Sequence, residues 1–364
     1  MKVLHLSTLN SSVNNAGVVR QLQYEKDAAI DLGIDWSVEL WAGDVLDGFD
    51  FIRPYPSYLN SRLARRWFFF KVLRNYSSIY DVIVLRYMPV DPFLVFYKQD
   101  RAALISVHHT KEEGAIRASY LGLKGRILSV CDNFAFFVGA RRFSAVVGVT
   151  PEIVEYELRR ARRDLPTFVL PNGIDFSRFQ VVDDRRFGSI KLVFVATFFF
   201  KWHGLRSLLS SIASCSKVDD FELHLVGEVS VEDVCYIHEC GIKNIKLHGV
   251  VDISTLRDIL ALADVGLSSF GLGEKGVQQA CTLKVREYLA SGVPVFAGYD
   301  DIGLPDNFPF YMQGKPDLLD IISYAKNMRN FGREKIRRSS MEYIDKKNLV
   351  SKFHSWVVEE IKPE

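Results

Sequence analysis

The sequence predicts an α/β protein built from two doubly wound domains in tandem. Its 364 residues exceed what one hydrophobic core usually serves. Short apolar runs alternate with stretches of helical periodicity along most of the chain, a pattern typical of parallel sheets covered by helices. A proline and an Asn-Gly turn interrupt the alternation once, at residues 168–175. We therefore predict a first domain at 1–168 and a second at 169–345.

The first domain opens with a strand, a small-residue loop, a helix and a strand, the starting unit of a parallel α/β sheet. Gly33 closes the first helix, and Pro151 marks the first turn of a later one. Strands are predicted at 2–6, 37–41, 82–85, 103–107 and 145–149, and helices at 18–33, 92–99, 124–139 and 151–163.

The second domain repeats the alternation and ends in a helical tail. Strands are predicted at 191–196, 222–226, 245–247 and 265–268, and helices at 204–214, 231–239 and 254–263. The next helix ends at Gly292 and precedes a short apolar strand at 293–297. From residue 316 the chain reads as helical with a break near Gly332, and we expect a final helix at about 346–364 to pack back on the first domain.

Composition narrows the class of protein. Hydrophobic residues make up 48% and charged residues 25%, as in soluble globular proteins, and a net charge of +2 argues against a general nucleic-acid binder. The five cysteines have neither disulfide nor metal-ligand spacing, which favours a cytoplasmic protein. No apolar run reaches the roughly 20 residues that span a bilayer, and we expect no signal peptide.

One helix carries the clearest candidate site. Lys284 and Glu287 lie one turn apart on it, while Val285, Tyr288 and Leu289 form a stripe for packing. Backbone N–H groups and the helix dipole hold anions at such an N-terminus, so the pattern favours a ligand such as a diphosphate. An ordinary solvated charge pair is the alternative that the helix alone leaves open.

An ordered set of short motifs resembles glycosyltransferase family 4, retaining enzymes of the GT-B fold, in which two Rossmann-like domains face each other across a cleft. The resemblance covers about 168–297. Its motifs are Pro-Asn-Gly-Ile-Asp at 171–175 with Phe179 behind it, Gly204 at a helix start, the segments 225–228, 247–249 and 263–265, and Lys284 with residues 287–295.

The resemblance implies that the second domain binds a nucleotide diphosphate sugar, UDP- or GDP-linked, and the first domain binds the acceptor. Glu287 would hold the donor ribose, and backbone N–H groups around Thr282 and Leu283 would meet the diphosphate. The strand-end residues Gly227 and Glu228 and the helix residue Lys284 are further donor-binding candidates.

Two positions depart from the family pattern. Where the family has a glutamate eight residues before Glu287, this chain has Gln279, which can hydrogen-bond a sugar hydroxyl but brings no charge. Where the family has Lys-Gly, His203 precedes Gly204 and Lys201 lies two residues earlier. Lys201 is the better electrostatic partner for the diphosphate. The alternative is that Trp202 packs the loop and His203 merely caps the helix.

The first domain offers weaker candidates. Gly17 opens the first helix where the family often has paired glycines, although a tight turn explains a lone glycine equally well. His108 and His109 end a strand where the family commonly has a histidine that touches the donor sugar. We favour His109 as the catalytic candidate, together with Lys201 and Gln279 in the second domain.

No metal site is predicted. The paired aspartates at 183–184, 219–220 and 300–301 read as loop or turn charges, and the family mechanism is metal-independent.

The segment at about 62–74 combines four consecutive aromatic residues with several arginines. It reads either as a helix on a membrane surface or as a buried helix with solvated arginines.

The sequence thus predicts a cytoplasmic, peripherally membrane-associated retaining glycosyltransferase that extends a lipid-linked oligosaccharide in bacterial surface polysaccharide synthesis. Two alternatives stay open. A nucleotide-sugar 2-epimerase of the same architecture would act without an acceptor, and Gln279 with the missing Lys-Gly pair favours a non-catalytic binding subunit.

Overall fold

A computed structural model describes residues 1–96, 101–120, 122–215 and 220–361. The chain divides into a first unit, Met1–Gly173 with Lys346–Glu364, and a second unit, Ile174–Asp345. The predicted boundary at 168/169 lies five residues before this division. Residues up to Leu170 stay with the first sheet because the Leu170 N–H donates to the carbonyl of Gly148 at 2.9 Å.

The first unit is a seven-stranded, all-parallel sheet in the order β3-β2-β1-β4-β5-β6-β7. Its strands are β1 (Val3–Leu9), β2 (Trp36–Ala42), β3 (Ile52–Pro54), β4 (Val82–Arg86), β5 (Ala103–His108), β6 (Ala145–Gly148) and β7 (Thr167–Val169). Its helices are α1 (Ala16–Leu32), α2 (Arg62–Tyr76), α3 (Glu112–Ser119), α4 (Leu123–Gly139), α5 (Pro151–Ala161) and the C-terminal helix α12 (Lys346–Glu360).

Helix α12 packs against the first unit. Phe353 is buried and contacts Trp36 and Phe168, with ring centroids 5.5 and 5.2 Å apart. Lys346 begins the helix 3.7 Å from the buried carboxylate of Glu25. Although burial opposes ionisation, His5 and Lys346 lower the pKa of Glu25 to about 2, so an ion pair fixes the start of the helix.

The predicted helix at 92–99 does not form in the described residues. Only a short 3-10 turn, Leu94–Phe96, is present, and residues 97–99 lie outside the described part of the chain. Pro92 and the positive φ of 58° at Val90 keep this segment irregular.

The second unit contains a six-stranded parallel sheet in the order β10-β9-β8-β11-β13-β15. Its strands are β8 (Ile190–Phe198), β9 (Phe221–Glu228), β10 (Ile245–Gly249), β11 (Val265–Leu267), β13 (Val295–Ala297) and β15 (Tyr311–Gln313), and the pair β12 (Gln279–Ala280) and β14 (Asp300–Asp301) forms a small second sheet. Its helices are α6 (Leu205–Ser214), α7 (Val231–Glu239), α8 (Ile253–Leu262), α9 (Leu283–Ala290), α10 (Leu318–Met328) and α11 (Arg333–Ile344).

Tyr288 anchors α9 to the sheet. Its hydroxyl accepts a hydrogen bond from the Val195 N–H at 3.0 Å and lies 3.3 Å from the carbonyl of Leu267, so it contacts both β8 and β11. Gly266 makes room for this ring, because a Cβ there would lie 2.6 Å from it. The predicted packing stripe of α9 is thereby confirmed, since Val285, Tyr288 and Leu289 are all buried.

Candidate active site

The carboxyl ends of β8 and β9 bring the first predicted donor-binding residues together. Gly227 has a φ of 119°, and a Cβ at this position would lie 1.5 Å from the carbonyl oxygen of Ala196. Only glycine fits this close approach of the two strands. Glu228, the next residue, is exposed and pairs in register with Phe198 at the end of β8.

The two cationic candidates, Lys201 and His203, lie on the loop after β8 in different environments. His203 is 8% exposed, and its Nδ1 accepts a hydrogen bond from the Phe200 N–H at 3.0 Å. Its carbonyl accepts a second bond from the Phe270 N–H at 3.0 Å. Lys201 is exposed on the same loop, which turns into α6 through Gly204 at a φ of 70°. The ring of His203 therefore holds the loop together, while the ammonium of Lys201 faces solvent.

The N-terminus of α9 is built around a cluster of hydroxyl groups. Thr282 is the N-cap residue, but its side chain makes no hydrogen bond to the first turn. Its Oγ1 lies 2.7 Å from the hydroxyl of Tyr299, which lies 3.1 Å from Oγ of Ser268. The N-terminal end of α9, beginning at Leu283, is thus fixed to the carboxyl end of β11.

Lys284 and Glu287 occupy half-exposed positions on α9. The Nζ atom of Lys284 lies 5.9 Å from the ring centroid of Phe194 in β8, and the ring of His203 contacts the same phenylalanine at 6.3 Å. One aromatic side chain in the central strand therefore links the Lys201–Gly204 loop to α9.

Gln279 lies in β12, where it pairs with Asp300 of β14. The neighbouring aspartate corrects the sequence interpretation of residues 300–301 as turn charges. Asp301 is buried and forms an ion pair with Arg286 of α9, with Nη1 and Oδ2 2.5 Å apart. Sequence reasoning missed this pair because a basic residue inside an amphipathic helix carries no sign of burial.

In the first unit, the structure distinguishes His108 from His109. His108 is fully buried, and its ring stacks on Tyr87 at 4.7 Å and lies 2.8 Å from the hydroxyl of Ser106. Burial, the main cause, and the charge of Arg160 hold the pKa of His108 well below its usual range, so the ring is neutral. His108 is a core residue.

His109 lies at a small cavity of about 30 Å³, whose wall also includes His5, Gln21 and Lys346. Within the described residues, Nε2 of His109, Nε2 of His5 and Oε1 of Gln21 have no hydrogen-bond partner. Gly17 lies in the first turn of α1, the helix that carries Gln21. The structure therefore brings the predicted first-unit residues near the amino-terminal half of α1.

A buried acidic cluster lies behind His108. Arg160 donates hydrogen bonds to Asp132 at 2.5 Å and to Glu157 at 2.8 Å. Burial, and after it the charges of acidic neighbours, raise the pKa values of Glu112 and Glu157 to about 8. Several carboxyl groups share one guanidinium, so the cluster retains protons at neutral pH.

The aromatic residues of α2 pack mostly inward. Phe69 and Phe70 are buried, and Phe68 contacts Trp41 with centroids 5.0 Å apart, whereas Trp67 remains 44% exposed. Arg62, Arg65 and Arg66 in the first half of the helix instead line a groove of about 1140 Å³. The helix thus corresponds more closely to the buried alternative than to a surface-lying aromatic helix.

Within the described ranges, no group of three or more His, Cys, Asp or Glu side chains is arranged to hold a metal ion, and Asp219 lies outside those ranges. No helix among the described residues is both long and apolar enough to cross a bilayer.

A family model described as Glycosyl transferases group 1 matches residues 189–308, which cover the sheet ends and α9 described above. No curated protein matches the chain.

Solved structures with similar folds cover nearly the whole chain. A lipopolysaccharide outer core galactosyltransferase, WaaB, superposes with a TM-score of 0.66 at 12% identity, covering 99% of this chain and 100% of its own. Anabaena HepE in complex with UDP gives 0.67 at 13% identity and the same coverage, and sucrose-phosphate synthase from Thermosynechococcus elongatus gives 0.65 at 14% identity, covering 99% of each chain. These matches confirm the predicted two-domain α/β GT-B fold.

Proposed function

We propose that the chain is a retaining, metal-independent glycosyltransferase, because a family model described as Glycosyl transferases group 1 matches residues 189–308. It moves a sugar from a nucleoside diphosphate donor to a lipid-linked oligosaccharide in bacterial surface polysaccharide synthesis. The observation that supports this most directly is the N-terminus of α9, where Thr282 contacts Tyr299 rather than capping the helix.

The second unit binds the donor in this proposal. The α9 N-terminus attracts the diphosphate through its dipole and the N–H groups around Leu283. Glu287, one turn further along, accepts hydrogen bonds from the ribose hydroxyls. Gly227 and Glu228 border the site at the end of β9, where the absence of a side chain at Gly227 lets the backbones of β8 and β9 approach closely.

Charge stabilisation of the departing diphosphate replaces a metal ion in the proposed reaction. Lys201 is the main cationic group, because its side chain is exposed whereas His203 is occupied in the loop. Lys284 and the α9 dipole add to the same positive potential. Gln279 offers an amide to a sugar hydroxyl, and His109 of the first unit contacts the sugar.

We infer the expected donor and acceptor from the proteins whose structures are similar to this chain. HepE is described in complexes with UDP and with UDP-glucose, and WaaB is described as a galactosyltransferase of the lipopolysaccharide outer core. We therefore expect a uridine donor first, carrying glucose or galactose, and a lipid-linked saccharide acceptor at the inner face of the cell membrane.

A thermal-shift panel of nucleotide sugars in EDTA tests the donor assignment. A bound donor stabilises the folded protein by mass action, so one nucleotide sugar should raise Tm clearly more than the others. Glu287→Ala should abolish that shift and donor-dependent turnover, whereas the exposed Glu239→Ala on α7 should retain both. Equal turnover in the two variants would contradict the site, and a requirement for added metal would contradict the proposed charge stabilisation. The anomeric configuration of the product, read by NMR, tests retention.

The position of Gln279 supports one alternative, a binding subunit without transfer activity. Its side chain brings no carboxylate to the sugar, in contrast to the family pattern. Calorimetry that detects no nucleotide-sugar binding, or binding without turnover of any acceptor, would favour that alternative. Release of a free epimerised sugar without acceptor would instead identify an epimerase.

A further inference from the structure

The first unit contains a groove that the proposed donor chemistry does not use. It lies between α2, the segment 88–96 and the helices α3 and α4, with a volume of about 1140 Å³. Ligand pockets of proteins are typically about 300–1,000 Å³, so this groove is large enough for an extended molecule. Its walls are mostly apolar and include Leu63, Val95, Phe96, Leu128 and Phe134.

All charged side chains that line the groove, among the described residues, are arginines. Arg62 donates to the hydroxyl of Tyr120 at 3.4 Å, Arg65 to the carbonyl of Leu59 at 3.0 Å and Arg66 to the carbonyl of Pro89 at 2.8 Å. These partners are neutral, so three positive charges face the groove.

One carboxylate, that of Asp91, interacts electrostatically with Arg66. Asp91 accepts a hydrogen bond from the Phe93 N–H at 2.9 Å and, in the described part of the chain, makes no ion pair with Arg66. Burial raises the pKa of Asp91 and the charge of Arg66 lowers it, and this one carboxylate offsets at most one of the three arginine charges. The groove is therefore complementary to an anionic group attached to an apolar body.

The arginines lie close to the carboxyl end of β1. The guanidinium of Arg65 lies 5.7 Å from the ring centroid of Tyr55, whose hydroxyl is 2.5 Å from Oγ1 of Thr8. Thr8 and Asn10 contribute polar groups to the groove just before α1 begins. An anion held at Arg65 thus lies next to the carboxyl end of β1, in the unit that is predicted to bind the acceptor.

Helix α4 presents an apolar stripe that no described residue covers. Leu123, Ile127, Val130 and Phe134 are 73, 54, 68 and 65% exposed. Spacings of four, three and four residues place them on one face of the helix. Val130 and Phe134 also line the groove, so the stripe and the groove form one continuous apolar surface.

We infer that this groove binds the hydrocarbon chain of a phosphate-linked lipid acceptor, with the phosphate held by Arg62 and Arg65. The stripe on α4 is seated in the membrane that delivers the lipid. The inference rests on the proposed function for the nature of the acceptor, and it transfers the expected membrane contact from the aromatic residues of α2 to α4. Apolar surface that is continuous from the bilayer to the groove lets the chain enter without exposure to water.

Binding of farnesyl phosphate to the full chain tests the groove. We expect saturable binding by calorimetry and at least about tenfold weaker binding of farnesol, because farnesol lacks the phosphate. Val130→Asp should reduce the affinity for farnesyl phosphate roughly tenfold or more because it puts a carboxylate into the apolar wall. Arg62→Gln should also reduce it, whereas Arg74→Gln, exposed on the same helix but outside the groove, should not.

Vesicles of equal parts phosphatidylglycerol and phosphatidylcholine test the stripe. Leu123→Asp should lower co-flotation of the protein while leaving farnesyl phosphate binding unchanged, and Val231→Asp, a 76% exposed position on α7, should alter neither. Farnesyl phosphate binding that Val130→Asp leaves intact would overturn the groove assignment. A concentration-dependent dimer that Val130→Asp dissociates would identify a second copy as the occupant and would also overturn it.

Nucleotide binding separates the two proposals. A Val130→Asp protein that still gains Tm with a UDP-sugar but no longer binds farnesyl phosphate supports both. If the unmodified chain binds neither a UDP-sugar nor farnesyl phosphate, the result counts against the proposed function. If the unmodified chain binds a UDP-sugar but not farnesyl phosphate, the result counts against the groove alone.

Discussion

Arg286 and Asp301 form an ion pair in which neither side chain is exposed to solvent, with Nη1 and Oδ2 2.5 Å apart. Although burial opposes the charge, Asp301 raises the pKa of Arg286 and keeps it cationic. The pair connects α9 to β14, which pairs with the strand of Gln279. The position of α9, and with it the placement of Lys284 and Glu287, therefore depends on the buried ion pair between Arg286 and Asp301.

Removing one member of this pair should destabilise the second unit. Asp301→Ala leaves a buried guanidinium without its counter-charge, which typically costs about 3–5 kcal/mol. Asp300→Ala removes an exposed carboxylate one residue away and should change stability by less than about 0.5 kcal/mol. Urea unfolding followed by fluorescence measures both, and similar midpoints for the two variants would show that the pair contributes little.

Gly227→Ala should disrupt the β8–β9 connection. The added Cβ would collide with the carbonyl of Ala196, and the φ of 119° is strained for any other residue. We expect a loss of more than about 3 kcal/mol and loss of the nucleotide-induced Tm shift.

Gly241→Ala provides the matched control for this prediction. Gly241 also has a positive φ, 63°, but nothing lies within 4 Å of its Cβ position, so only about 1 kcal/mol should be lost. Equal losses in the two glycine variants would mean that the close approach of the strands is not what requires Gly227.

The two adjacent histidines should have opposite phenotypes. His108→Ala leaves a cavity beside Tyr87 and should lower stability by about 2 kcal/mol or more. His109→Ala should leave the unfolding midpoint nearly unchanged but reduce kcat roughly tenfold or more, because we assign it to the sugar. Turnover with a saturating donor, measured beside thermal unfolding, tests the assignment, which fails if His109→Ala loses stability and keeps its kcat.

The buried acidic cluster should make stability fall as pH rises. The pKa of Glu112 is about 8 in the folded state against an ordinary value of 4.5, so between these pH values the folded chain binds more protons than the unfolded chain. The unfolding free energy therefore decreases from pH 4.5 towards pH 8, by about 1.4 kcal/mol for each unit of pKa shift at most. The groups facing Glu112 are His108, whose Nδ1 lies 3.9 Å from Oε1 of Glu112, together with Asp132, Arg160, Arg86 and, through the shared cluster, Glu157.

Glu112→Gln should flatten this pH dependence, because the neutral amide needs no proton to remain buried. Glu155→Gln, an exposed carboxyl on α5, should reproduce the unmodified curve. Denaturant titrations at pH 5, 6, 7 and 8 give the slopes. A slope that stays unchanged in Glu112→Gln would assign the retained proton to another member of the cluster.

Much of the fold followed from periodicity alone. The alternation of apolar runs and helical stretches predicted both parallel sheets, and α9 with its stripe of Val285, Tyr288 and Leu289 is found where the sequence predicted it. The helix predicted at 92–99 was wrong within the described residues because Pro92 and the strained Val90 outweigh the apolar spacing. Local periodicity predicts which residues are buried, but it does not predict which residues they contact in the core.

For the candidate site, too, some features were predictable from local sequence and others depend on tertiary contacts. Motif order and spacing by themselves predicted that Lys201, Gly227, Thr282 and Glu287 belong to one site, because a helix N-terminus and strand ends in a parallel sheet share one edge. Only the tertiary structure decided that His203 and His108 are packing residues, that Asp301 neutralises Arg286 and that α4, rather than the aromatic run of α2, exposes an apolar face. Burial, ion pairing and the groove are produced by residues distant in sequence, and no local pattern contains them.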